Sequence, residues 1–125
     1  MDQQKQVLII DDDSRNIFAL KATLKAKGYS SLSVMDAQEA LILLEQDKGI
    51  GVVLMDMMMP ELDGYEAISL IRKNKEIAAV PIIAVTAQAM VGDREKCLAA
   101  GADDYISKPI DVDVLLEKLN YYLNR

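Results

Sequence analysis

Five short apolar runs alternating with amphipathic stretches predict an α/β fold: a doubly wound, five-stranded parallel sheet flanked by five helices. Two observations carry that class. The runs are short, continuously apolar and bounded by turn residues, as strands buried on both faces are. Each is followed, after a brief connection, by a segment whose apolar residues have helical spacing. A third observation says where the chemistry lies. Val7–Ile10 stops in Asp11, Asp12 and Asp13, and Val52–Met55 stops in Asp56. The crevice of an open parallel sheet lies beyond the carboxyl ends of its strands, so two strands deliver carboxylates into one place.

The elements follow in order. Val7–Ile10 is the first strand, and a helix from about Ser14 to Lys27 follows, with Ile17, Leu20 and Leu24 along one face. Asp13 is placed to cap it. Gly28 stands just past its end, where glycine closes helices. Tyr29–Met35 reads as a second strand. Asp36 and Glu39 then have capping-box spacing for a helix to about Glu45. Gly51–Met55 is the third strand, and Met57–Asp63 is a loop punctuated by Pro60. Asp63 and Glu66 repeat the capping-box pattern before a helix to about Lys73. Pro81 precedes a fourth strand, Ile82–Val85, which Thr86 ends. A helix from roughly Met90 to Ala100 stops at Gly101, and Tyr105–Ser107 is a short fifth strand. The last helix runs from about Val112 to Asn124, with Asp111 as N-cap and Leu115, Leu116, Leu119 and Leu123 facing inward.

Residues 1–125 read as one domain with its core between about 7 and 123; no linker, low-complexity segment or fixed sequence repeat interrupts them. Half of the residues are apolar and the net charge is −6, without any run of clustered Lys and Arg. That composition argues against direct nucleic-acid binding, which requires clustered cations on phosphates. The single cysteine, Cys97, excludes an internal disulfide and sits in a helical stretch as packing. No histidine is present, which removes Ser–His and Cys–His catalysis and the commonest zinc ligand. No apolar run is long enough to span a bilayer, and Met1–Gln6 lacks the apolar stretch of a signal peptide; a cytoplasmic domain is expected.

The acidic cluster is the informative feature. At about 4 Å and an effective dielectric near 20, each like-charge pair costs roughly 4 kcal/mol. A divalent cation with oxygen ligands offsets that cost. The run Met57–Met58–Met59 would suit a soft metal, but no Cys or His accompanies it and gap-filling is the commoner use of methionine.

"VLIIDDD", "VLMDMMMPELDGYEAI", "PIIAVTAQAM" and "GADDYISKPID" stand in order along the chain. Together they closely resemble the receiver (response-regulator, chemotaxis-regulator-like) domain of two-component phosphorelay signalling, which has a flavodoxin-like fold. The resemblance covers about Val7 to Leu123. It implies that Asp56 is the phosphoacceptor and that Asp12 ligates Mg²⁺, with Mn²⁺ as a substitute. It gives Asp11 a direct or water-mediated place and Met58 a backbone carbonyl ligand. Lys108 would contact the aspartyl phosphate, before a Lys108–Pro109 bond that is typically cis in the family. Thr86 would bond a phosphoryl oxygen, and Tyr105 would rotate as Thr86 moves inward. Ala87 would leave the phosphoryl group room, while Met58 and Gln88 fall where the family varies. The donor would be a histidine kinase or phosphotransfer protein, docked on the first helix. The fourth and fifth helices with the fifth strand would form the output face and a possible homodimer contact. Such a domain promotes its own phosphorylation and dephosphorylation and has no separate substrate. "DDDSRNIFAL" and "TAQAMVGDREKCLAAGADDY" look most like receivers of hybrid sensor histidine kinases.

Three other readings are weaker. Aspartyl-phosphate hydrolases resemble receivers in topology, but carry an acid/base Asp two residues past the nucleophile, where this chain has Met58. A flavodoxin-like cofactor binder needs a first loop rich in Gly, Ser or Thr, and Asp11–Asp13 would repel a phosphate. A degenerate receiver used only for docking does not need Asp11, Asp12, Asp56, Thr86 and Lys108 together.

Overall fold

The computed structural model describes residues 5–58, 64–87 and 92–124. The elements run β1 (Gln6–Ile10), α1 (Ser14–Ala26), β2 (Ser31–Val34), α2 (Ala37–Gln46), β3 (Ile50–Asp56), α3 (Gly64–Lys73), β4 (Ile82–Thr86), α4 (Asp93–Ala100), β5 (Asp104–Ser107) and α5 (Val112–Leu123). All strand pairs are parallel, in the order β2-β1-β3-β4-β5. The predicted class holds. The order reverses between β1 and β3, and the carboxyl ends of those two strands flank the crevice that such a reversal opens.

Pleating splits each central strand between two cores. From β1, Leu8 and Ile10 pack towards α2, α3 and α4, while Val7 and Ile9 pack towards α1 and α5. Every residue of β4 is buried, which is why Ile82–Thr86 shows no polar alternation. At the amino edge of the sheet, Gly51 lies against two other segments. A Cβ there would stand 2.6 Å from Leu123 Cδ2 and 2.8 Å from Lys5 Cβ.

Helix ends follow their sequence signals where those signals are local. Asp13 accepts from the Arg15 amide, Asp36 from that of Glu39, and Asp111 from those of Asp113 and Val114. The Gly28 and Tyr29 amides bond back to the Lys25 and Leu24 carbonyls, closing α1. This last pair corrects the second strand. Tyr29 was expected in it, but its amide belongs to the end of α1, and β2 keeps only Ser31–Val34 on an edge with one neighbour. The fourth helix begins at Asp93 because Gly92 has φ 94°, which a right-handed helix cannot continue through. Its expected start at Met90 lies outside the described residues, as do Met59, Pro60, Asp63 and Gln88. In α5, Leu115 and Leu119 are fully buried and Leu116 and Leu123 partly so; Tyr122, seven residues past Leu115 on the same face, is buried with them though the expected inward set held only leucines.

Candidate functional site

Strand ends build the site. Asp56 is the last residue of β3, so the buried ladder that fixes Val53–Met55 also fixes its direction. Asp11 directly follows β1, where its amide still bonds to the Val34 carbonyl at 3.2 Å. Both carboxylates are buried, and with Thr86 they are the buried polar side chains among the described residues. Asp12 is exposed at the rim. One oxygen from each of Asp11, Asp12 and Asp56 lies within 4.8 Å of the others.

Backbone amides hold the two buried carboxylates. The Asp13 amide donates to Asp11 Oδ1 and the Met58 amide to Asp56 Oδ1, both at 2.9 Å. Lys108 Nζ approaches Asp56 Oδ2 at 3.5 Å. Burial raises the Asp11 carboxyl above its usual range, opposed by the Asp13 amide and reinforced by the neighbouring Asp56 charge; Lys108 pulls it down only in part. The cluster is thus short of positive charge.

The donor set fits one kind of ion. Magnesium takes oxygen ligands at about 2.1 Å, which brings adjacent ligand oxygens to about 3.0 Å from one another. The three carboxylate oxygens, within 4.8 Å of one another, would close up to that spacing around the ion, and each amide-held carboxylate keeps a second oxygen. Thiolate and imidazole donors are absent from the cluster, which disfavours softer metals. Met58 follows and is 56 % exposed.

Thr86 ends β4 beside Ser107, and its carbonyl accepts from the Lys108 amide at 2.7 Å. The Lys108–Pro109 peptide is cis, as expected. Tyr105 pairs with Ala84 one strand over and is partly buried against the core on the α4 side. Ala87 is exposed directly after Thr86. The structure therefore gathers Asp11, Asp12, Asp56 and Lys108 closely, sets Thr86 at the same edge, and leaves Tyr105 two residues deeper along the neighbouring strand.

The sequence did not single out the floor of the site. A cavity of about 280 Å³ runs from Asp11, Asp56 and Lys108 between α1 and α5, over Ala19, Leu20, Ile110 and Val112. Asn16, in the first turn of α1, also lines it, and no motif in the sequence marked it.

Comparison with known proteins agrees. The model of the response regulator receiver domain matches residues 7–120. The polar-differentiation response regulator DivK of Brucella anthropi is 35 % identical over 119 residues, covering 95 % of this chain and 96 % of that one. The receiver domain of sensor histidine kinase PA1611 from Pseudomonas aeruginosa, solved with magnesium coordinated in its active-site cleft, is 36 % identical. It superposes with a TM-score of 0.86 over 98 % of this chain and all of that one. The receiver domain of Francisella response regulator 1452 is 30 % identical with a TM-score of 0.87, over 97 % and 98 % of the two chains. Among the described residues, no helix is long and apolar enough to cross a membrane.

Proposed function

Because this chain belongs to the response regulator receiver domain family, we propose that Asp56 accepts a phosphoryl group from a phosphohistidine donor and that the chain switches conformation in response. The observation that carries the reading is the buried Asp56, held by the Met58 amide and faced by Lys108 across from Asp11 and Asp12. An Asp56 oxygen forms the new bond to phosphorus as the donor's phosphorus–nitrogen bond breaks, and the electron pair leaves with the imidazole. Magnesium bound to Asp11, Asp12, Asp56 and the Met58 carbonyl, or manganese in its place, would orient the donor and neutralise charge on the transferring group.

The chain's own groups do the remaining work. Lys108 places an ammonium beside the oxygen that gains the phosphoryl group. The Met58 amide fixes the carboxylate plane. The Thr86 hydroxyl bonds a phosphoryl oxygen, and its inward shift gives the Tyr105 ring room to turn. This is a change in population between two arrangements, biased by contacts that only the phosphorylated form offers. The reaction consumes no separate substrate; its partner is a histidine kinase or phosphotransfer protein. A place beside a kinase module, as in hybrid kinases, is supported by the 36 % identity to the PA1611 receiver.

Acetyl phosphate with Mg²⁺ should add one phosphoryl mass to the wild type, and Asp56→Asn should lose it. Peptide mass spectrometry decides the matter: equal labelling of the variant, or label at another residue, overturns the assignment.

A further inference from the structure

Away from the site, at the other end of β4, one side chain gathers four acceptors from three segments. Arg72, near the end of α3, donates from Nε to the Gly101 carbonyl at 2.8 Å, and from Nη1 to the carbonyls of Ala78 and Val80 at 2.7 and 2.6 Å. Its Nη2 meets Asp103 Oδ2 at 2.8 Å, the same oxygen that accepts from the amide of Ile82, the first residue of β4. Gly101 ends α4 at φ 120°, a conformation that favours glycine, and a Cβ there would stand 3.0 Å from Arg72 Cγ and crowd the side chain that reaches its carbonyl. The head of β4, the tail of α4 and the start of β5 are fastened at one point.

The rest of α4 is held lightly. Cys97 is its only fully buried residue, set beside Tyr65 of α3, and Gly92 offers no side chain to close its first turn. β4 itself runs from the fastening to Thr86. We propose that Arg72 is a positioning residue that pins the C-terminal end of α4, so that α4 answers phosphorylation by pivoting about Gly101 rather than by shifting bodily. This rests on the reading of Asp56 and Thr86 given above. A planar fork with five donors suits the task, whereas a lysine could keep the charge pair with Asp103 but not the three carbonyls. The ion pair alone would contribute little, since Arg72 and Asp103 are 23 % and 39 % exposed.

Residual dipolar couplings separate pivot from translation, because they report the orientation of each N–H vector and are blind to a parallel shift. The wild type is compared with and without beryllium fluoride and Mg²⁺, a phosphoryl mimic, and Asp56→Asn is the control for where the mimic acts. The expected result is that couplings along Asp93–Ala100 change relative to the sheet, while those of Gly101, Ala102 and Asp103 stay put. In Arg72→Lys and Arg72→Met the change should spread through Gly101–Asp103, with Lys failing to rescue. Unchanged α4 couplings in a responding wild type overturn the pivot, as do changes at Gly101–Asp103 as large as those at Asp93–Lys96. So does a wild-type pattern retained in both folded variants. A wild type that shows no response at all refutes instead the reading of Asp56, and the inference falls with it.

Discussion

Asp56 and Tyr122 show how differently single residues disclose themselves. Asp56 was legible because a buried apolar run cannot end in a carboxylate without placing it at a strand tip. Tyr122 was not, because its role depends on where α5 lies. Its hydroxyl donates to the Asp103 carbonyl at 3.2 Å and to Asp104 Oδ2 at 3.3 Å, while Lys118 pairs with Asp104 at 2.9 Å. Burial first, and the Asp104 charge second, push the Tyr122 phenol up to about 12. A raised phenol means that the folded state holds its proton more tightly than the unfolded chain, whose tyrosines ionise near 10. The resulting stabilisation is complete below pH 10 and disappears as pH climbs from about 10 to about 12. Ultraviolet titration should find one of the five tyrosines ionising last, together with a falling denaturant midpoint over that window. A single common ionisation step would remove Tyr122 from that environment.

At the scale of elements, capping decides what a sequence reveals. Asp36, Asp111 and Gly28 mark helix ends because each acts within a few residues of itself. Asp111→Ala leaves the Asp113 and Val114 amides without their acceptor and should cost about 1 kcal/mol, within a range of roughly 0.5–2. Chemical denaturation measures that loss, and an unchanged midpoint with unchanged slope would show that water replaces the cap fully. The Arg72 fastening stayed hidden for the opposite reason. Three of its four acceptors are main-chain carbonyls, which every residue possesses, so nothing in the side-chain pattern points to them. The left-handed conformation of Gly92 before α4 was hidden for a similar reason, since spacing carries no record of φ.

For the molecule as a whole, strand order and the acidic rim are one design. Apolar strands and the carboxylates at their ends were readable together, because a doubly wound sheet assigns its crevice to a known edge. The cavity between α1 and α5 was not readable, since it arises from the distance between two helices. On the proposed reading, relief of the repulsion among Asp11, Asp12 and Asp56 makes metal binding stabilise the fold. At a hundredfold excess over its dissociation constant, Mg²⁺ should add about 2.7 kcal/mol to unfolding free energy. Thermal melts with Mg²⁺ or a chelator should separate in the wild type and converge in Asp12→Asn. Equal separation in both proteins would take Asp12 out of the metal's ligand shell.

The parallel course of all five strands also divides the molecule's tolerance for change. At the carboxyl rim Asp12 and Ala87 are exposed, so substitution there alters the chemistry of the site before it alters packing. The opposite rim is closed by Gly51, which leaves no room for even a methyl group beneath Leu123 and Lys5. Substitutions on the reactive side therefore register first in chemistry, whereas those on the sealed side register first in the scaffold.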